Sequence, residues 1–379
     1  MLIYFDNSAT TKPYDEVVDK VADTMKNYYG NPSSAYKLGV DAEKVLIASR
    51  NTIADTLNAE KSEVIFTSGG SESNNFSIRG YLRPDSNVVT TKIEHPSILK
   101  LCSDLEDSGI KVTYVDVDNK GKVNLSELED SINKNTAIVT MAHVNNEIGT
   151  VQDIEKVGEI VRKKGGRTKF HVDAVQSYCK LKIDTKKMNI DMISASGHKI
   201  HGPRGVGIAY VRKGLCPKPL IFGGGQESAL RSGTENLPAI SGMAVAADKM
   251  YKNIDSNYKK VMDLKKYFSE NLGRIKDVKI NSGLGKDFSP YILNVSFLGV
   301  KGEVLLHSLE EKGIYVSTGS ACSAKRNSKS YVLSAIGLND DELRGTIRFS
   351  FCEMNTKEEV DYTLEVLEKS LKFLRRLKI

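Results

Sequence analysis

Lys199 lies in Ser196-Gly197-His198-Lys199, directly after the apolar run Asp191-Met192-Ile193-Ser194-Ala195. A lysine just past the end of a buried strand, flanked by a hydroxyl and an imidazole, is placed to present its amine to an aldehyde. Most lysines are solvated surface charges, so the assignment depends on what the chain brings to meet it. Asp173 follows Lys169-Phe170-His171-Val172, with Gln176 one helical turn later. A carboxylate leaving an apolar strand is costly to desolvate unless something positive meets it, and a protonated pyridine nitrogen would do so. Capping the next helix is an ordinary and compatible job for the same residue. Glu94-His95 and His143-Val144-Asn145-Asn146 also follow apolar runs. Singly, these are as well explained by a structural histidine and by turn-forming amides.

Ser68-Gly69-Gly70-Ser71 leads from Glu63-Val64-Ile65-Phe66-Thr67 into a helical pattern. Glycines let the backbone approach a ligand closely, and the free N–H groups of a helix start suit a phosphate. Capping alone also puts Gly and Ser at such turns. Together, five strand ends offer contacts for a phosphate, a ring, a hydroxyl, a pyridinium and an aldehyde, a coincidence that no single ordinary explanation covers.

The elements that must position these residues run from about 63 to 211, where short β-rich runs alternate with helical stretches. The runs begin near Glu63, Asn87, Val112, Ala137, Lys169, Met192 and Val206. Such alternation predicts an α/β domain with a mainly parallel sheet, whose ligands sit beyond the carboxyl ends of the strands. A helical stretch is predicted near 236–272, then a strand Tyr291–Phe297 and a helix near Gly302–Lys312, the start of a smaller domain. The final helix, with Leu364, Leu367, Leu371 and Leu374 on one stripe, reads as core packing with a solvated basic face.

The 379 residues allow two domains and a well-buried core. No apolar run is long enough to span a membrane, and Met1-Leu2-Ile3-Tyr4-Phe5-Asp6 lacks the form of a secretory signal. A cytoplasmic location is the expectation. The net charge of +6 is spread along the chain, which argues for no direct nucleic-acid role and no membrane role. Gly223-Gly224-Gly225 does not form a Walker loop, and a nucleotide site is unsupported.

The five cysteines contain no Cys-x-x-Cys pair, so neither a disulfide framework nor a zinc knuckle is expected. Cys322 lies in a small, polar, basic loop at about 317–330, with Lys325 and Arg326 close by, a setting suited to thiolate chemistry. Cys102, Cys179, Cys216 and Cys352 read as fillers or incidental thiols. Arg348, in Arg348-Phe349-Ser350-Phe351, can fork onto a substrate carboxylate or serve a structural ion pair.

With these motifs in hand the chain resembles the cysteine desulfurases of the NifS/IscS type, pyridoxal 5'-phosphate (PLP) enzymes of the class V aminotransferase group. The likeness runs from Tyr4-Phe5-Asp6-Asn7-Ser8-Ala9-Thr10-Thr11 through Tyr29-Gly30-Asn31-Pro32-Ser33-Ser34 to Arg348-Phe349-Ser350, nearly the full length. It implies an α/β, fold type I PLP-dependent transferase. The large domain, 14–255, would hold a mainly parallel seven-stranded sheet. The smaller α+β domain, 1–13 with 256–379, would carry the cysteine loop.

By resemblance, Lys199 carries PLP and moves the α-proton, Asp173 holds the pyridinium, and His95 stacks on the ring and assists proton transfer. Asn146 and Gln176 contact substrate or the ring hydroxyl. Gly70, Ser71, Ser196 and His198 hold the phosphate, with Thr234 contributed by the other subunit of a homodimer. Arg348, with Asn31 nearby, receives the carboxylate of L-cysteine, and Cys322 takes the sulfur as a persulfide, leaving L-alanine. The sulfur would pass to an acceptor protein, an iron–sulfur scaffold or a tRNA-thiolation enzyme.

The chain departs from that pattern at Tyr36, where histidine is common, His201 (tyrosine), Ser71 (threonine) and Cys352 (glycine). Cys352 would add a second thiol near the site. A class V aminotransferase or a selenocysteine lyase fits Lys199 and Asp173 equally well, and Cys322 with its loop favours the desulfurase. A non-catalytic scaffold or RNA-binding protein is disfavoured by the intact set of Lys199, Asp173, His95 and Cys322.

Overall fold

A computed structural model describes residues 2–164, 166–319 and 329–377. In chain order the elements begin with β1 (Ile3–Tyr4), α1 (Asp15–Asn27), α2 (Lys37–Asp55), β2 (Val64–Thr67), α3 (Gly70–Arg79), β3 (Asn87–Thr91), α4 (Pro96–Asp107) and β4 (Lys111–Val115). They continue with α5 (Leu125–Ser131), β5 (Thr136–Ala142), α6 (Ile154–Lys164), β6 (Lys169–Asp173), β7 (Met192–Ser196), β8 (Gly207–Val211), α7 (Leu237–Lys252) and α8 (Ile254–Leu272). The rest are β9 (Val278–Ile280), β10 (Ile292–Phe297), α9 (Gly302–Glu310), β11 (Ile314–Tyr315), α10 (Tyr331–Ala335), α11 (Asp340–Arg344), β12 (Thr346–Ser350) and α12 (Lys357–Leu377). No described helix is long and apolar enough to cross a membrane.

The seven β-rich runs become one seven-stranded sheet in the order β2-β8-β7-β6-β5-β3-β4. Only β8 is antiparallel to its neighbours; the other pairings are parallel. Burial on both faces explains why the central strands are near-continuously apolar, whereas the edge strand β4, with Lys111 exposed, is only partly buried. Ile65, Val88, Ile138 and Met192 pack against α3 and α4 on one face. Phe66, Val89, Val139 and Ile193 pack with α2, α6 and α7 on the other.

A separate apolar cluster joins β10 and β12 to α8, α9 and α12. Phe5, Phe268, Phe349 and Phe351 form edge-on or tilted ring pairs inside it, with centroids 5.0 Å apart for Phe268 and Phe349 and 5.3 Å for Phe5 and Phe351. β12-β10-β9 is an antiparallel sheet, and β1 pairs in parallel with β11. The N-terminal strand therefore packs with the C-terminal elements. Leu367, Leu371 and Leu374 of α12 are buried in this cluster and Leu364 is partly buried.

One expectation is corrected. The helical stretch near 236–272 is two helices, α7 and α8, which separate at Asn253. Asn253 caps the first at φ −106°, ψ 15°, outside helical geometry, so the apolar periodicity runs across a break that it does not mark.

Candidate active site

The carboxyl ends of β2, β3, β5, β6 and β7 open onto one cavity of about 270 Å³. It is lined by Gly70, Ser71, His95, Asn146, Asp173, Gln176, Ser196, His198, Lys199 and Arg348, and also by Ser8, Asn74, Ser97 and Val175. Ten residues singled out in the sequence thus meet at one place. Asn31 and Thr234 do not line it and lie exposed on this chain. Cys322 lies outside the described residues.

Lys199 follows β7 in a single 3₁₀ turn, Gly197–Lys199. Its Nζ donates to the carbonyl of Ala9 at 2.9 Å and to that of Ser8. Burial, reinforced by the charges of Arg348 and Lys180, lowers its ammonium to about 7. An amine neutral near physiological pH is a nucleophile without further help.

Asp173 ends β6 and is buried. Its Oδ1 accepts from the Val175 amide at 2.9 Å, and its Oδ2 accepts from Asn74 Nδ2 at 2.8 Å. Asn74 reaches it from α3 and also donates to Ser97 Oγ at 2.9 Å. Ser97 Oγ is 2.8 Å from His95 Nδ1, and the Ser97 amide donates to the same nitrogen at 3.1 Å. His95 is therefore both the cap of α4 and a member of a chain that ends at Asp173. With Nδ1 accepting, the neutral ring carries its proton on Nε2. Burial, with Lys199 adding to it and Asp173 opposing, lowers the imidazole below its ordinary range.

Beneath His95, Glu94 is fully buried and its carboxyl is pushed up to about 8 by burial, with Asp173 adding to the effect. Its oxygens meet Thr91 Oγ1 at 2.5 Å and the Ala142 amide at 2.8 Å. The sequence marked neither Asn74, Ser97 nor Glu94 as part of the site. Asn74 lies one turn inside α3, on the face packed against β6 and β7, a proximity that strand order creates.

The glycine turn forms the opposite wall. Gly69 takes φ 155°, ψ −178°, open essentially to glycine alone. A Cβ on Gly70 would stand 2.5 Å from Val175 Cγ2. A second cavity, of about 470 Å³, shares Ala9, Gly70, Ser71, Ser196 and His198 with the first and adds Arg204. Hydroxyls, the start of α3 and a guanidinium thus surround one space, a donor set for a phosphate. Burial holds His198 down to about 4, helped by Lys199, and its Nδ1 is 3.2 Å from Thr10 Oγ1.

Arg348 projects from β12 and is buried. Its Nη2 meets Asp6 Oδ1 at 2.8 Å and its Nη1 donates to the Asn146 carbonyl at 2.9 Å. The structural ion pair and the cavity position considered for this residue therefore coexist. Its Nε finds no partner among the described residues, and neither does Gln176 Oε1. The cavity suits a phosphorylated aromatic aldehyde, with a carboxylate at the Asp173 end for a ring nitrogen, an amine for the aldehyde and phosphate donors at the glycine turn.

The described flanks of the Cys322 segment are fixed to this site. Ser317 exchanges backbone hydrogen bonds with Arg348, at 2.6 Å and 3.2 Å. Ser330 Oγ donates to Glu147 Oε2 at 2.5 Å. Cys352, expected near the site, is buried and does not line the cavity.

The sequence pattern of the class-V aminotransferases matches residues 3–363. A cysteine desulfurase of Trichormus azollae is 41% identical over 380 residues, which covers 99% of this chain and 94% of that protein. A cysteine desulfurase IscS of Clostridium botulinum is 40% identical over 383 residues, covering 99% and 96%. Among solved structures, a NifS-like protein superposes with a TM-score of 0.93 at 38% identity, covering 98% of this chain and 100% of its own. SspA in complex with cysteine superposes with a TM-score of 0.83 at 37% identity, covering 93% and 100%.

Proposed function

We propose, on the ground that the chain belongs to the class-V aminotransferase family and, within it, to the cysteine desulfurases, that it takes sulfur from L-cysteine and releases L-alanine. PLP is the cofactor this reading requires; bound at Lys199 it supplies an electron sink that makes the substrate's α-proton acidic and loosens its bond to sulfur. The observation that carries the reading is the convergence of a neutralised Lys199 amine, the Asn74-braced carboxylate of Asp173 and the guanidinium of Arg348 on one cavity.

In this reading Lys199, its ammonium lowered to about 7 so that much of it is uncharged near neutral pH, takes the α-proton and returns one to the product. Asp173, held by Asn74 and the Val175 amide, would face the ring nitrogen. His95 would lie against the ring and carry a proton, with Nε2 as the protonated nitrogen of its neutral ring. Gln176 and Asn146 orient ring and substrate, and Arg348, already fixed by Asp6, receives the substrate carboxylate. Gly70, Ser71, Ser196 and His198 hold the phosphate, with Thr234 of a partner copy completing the cradle of a homodimer.

Cys322 as thiolate attacks the substrate sulfur. The C–S bond breaks, the carbon takes the electron pair and a proton, and the products are alanine and a Cys322 persulfide. The persulfide passes to an acceptor serving iron–sulfur assembly or tRNA thiolation in the cytoplasm. The same reading divides the chain into 14–255 and 1–13 with 256–379. Purified holoenzyme given L-cysteine and a reductant tests it: sulfide and alanine in equal amounts are expected, and alanine without sulfide, or neither product, overturns it.

A further inference from the structure

A second cluster of reactive side chains lies outside the cavity. His201, Cys352 and Glu353 each bring one donor atom, an imidazole nitrogen, a thiol sulfur and a carboxylate oxygen, all within 4.8 Å of one another. His201 follows Lys199 by two positions, whereas Cys352 and Glu353 follow β12, so the cluster lies next to Ile200 of one apolar core and Phe351 of the other.

Its hydrogen bonds leave an unmatched centre. His201 Nδ1 is 2.7 Å from the Lys12 carbonyl, which only an N–H can satisfy, so Nε2 of the neutral ring presents a lone pair. That lone pair faces Glu353 Oε1 at 3.6 Å. His201 is fully buried, and its Nε2 has no hydrogen-bond partner among the described residues; neither does Glu353 Oε2. Two acceptors turned toward each other make a centre suited to a cation.

The surroundings hold the donors in place. The His201 backbone sits at φ 63°, a strained value for a residue with a side chain, and its amide donates to Thr11 Oγ1 at 2.7 Å. The ring stacks on Tyr14 at 4.5 Å, and the Tyr14 hydroxyl donates to Glu353 Oε1. The Cys352 amide is fixed by Asn355 Oδ1 at 2.9 Å.

We propose that His201, Cys352 and Glu353 form a binding site for a thiophilic divalent cation of the zinc class, clamping the segment after Lys199 to the end of β12. A neutral imidazole, a thiolate and a carboxylate match the donors such an ion takes, and with a 2+ charge the set sums to zero. Bonds of about 2.0–2.3 Å at a tetrahedral centre place donor atoms roughly 3.3–3.8 Å apart, and the 3.6 Å between His201 Nε2 and Glu353 Oε1 falls in that span. The Lys12 carbonyl is the outer partner that a metal-bound histidine ordinarily has on its other nitrogen. A cavity of about 310 Å³ lined by Lys12, Tyr14, Lys249 and Glu353 opens onto the Glu353 side of the cluster. Binding as thiolate releases the Cys352 proton to solvent.

The test loads PLP-bound Cys322→Ala enzyme with Zn²⁺ or Co²⁺, removes loose metal by gel filtration and measures metal per chain. About one ion per chain is expected, with a thiolate-to-cobalt absorption band and a lower thermal midpoint after chelation. His201→Tyr and Cys352→Gly should each abolish the retained ion while keeping the absorbance of bound PLP. Retention below about one ion in ten chains, or a cobalt complex without the thiolate band, overturns the site. So does undiminished metal in folded His201→Tyr or Cys352→Gly. Should either variant fail to fold, the cobalt spectrum of the parent decides alone.

Discussion

Asn74 Nδ2 donates to Asp173 Oδ2 at 2.8 Å, and through it a residue of α3 sets the orientation of the carboxylate that ends β6. The same amide reaches Ser97, which holds His95. One side chain thus ties together the two groups proposed to lie at the nitrogen and at the face of the cofactor ring.

Asn74→Ala removes a hydrogen bond to a charged group, worth about 1.5–3 kcal/mol. PLP should bind roughly tenfold more weakly or worse, with a changed absorption maximum because Asp173 is freer to turn. Titrating apoenzyme with PLP measures this. An unchanged affinity would show that Asn74 only fills space.

Lys199 gives a pH signature. Burial lowers its ammonium to about 7, so apoenzyme should react with PLP at a rate that rises with pH and levels off above about 7 rather than above 10. The folded value lies below the unfolded one, so the unfolded chain binds the extra proton between these pH values. Apoenzyme stability at this site therefore rises with pH across that window and is lost as pH falls through 7. Lys199→Met should flatten both the stability slope and the reaction. A PLP-association profile still climbing near pH 9 would contradict the lowered value.

Glu94 works in the opposite sense. Its carboxyl is raised to about 8 by burial, so the folded chain holds a proton that the unfolded chain has released above about 4.5. Stability from this group is present at low pH and falls as pH rises toward 8. Glu94→Gln should match wild type below pH 5 and exceed it at pH 8, by denaturant unfolding. Glu94→Ala should be destabilised at both, by about 1–3 kcal/mol, because the Ala142 amide loses its partner.

At Arg348 the separation of KM from kcat is the useful quantity. Arg348→Lys keeps the charge near Asp6 but loses the fork, so KM for L-cysteine should rise about tenfold for one lost charge-assisted hydrogen bond. The effect on kcat should be smaller. A fall in kcat at constant KM would place Arg348 in the transition state alone.

The sequence by itself determined the strands and the residues at their ends. Seven β-rich runs became seven strands, and the residues just beyond five of them line one cavity. Strand-end chemistry is legible because parallel α/β sheets direct those ends to one edge. The break at Asn253 was not, since apolar periodicity continues on both sides of it.

Only tertiary structure decided which side chains brace which. Asn74 meets Asp173 across 99 positions, and Arg348 meets Asp6 across 342. No local pattern encodes such a pairing, because it follows from strand order and from the return of the N-terminal segment to the C-terminal core. The gathering of His201 with Cys352 and Glu353 has the same origin. Each is unremarkable in its own stretch, and the long-range packing of Tyr14, His201 and the turn after β12 brings their donor atoms within 4.8 Å of one another.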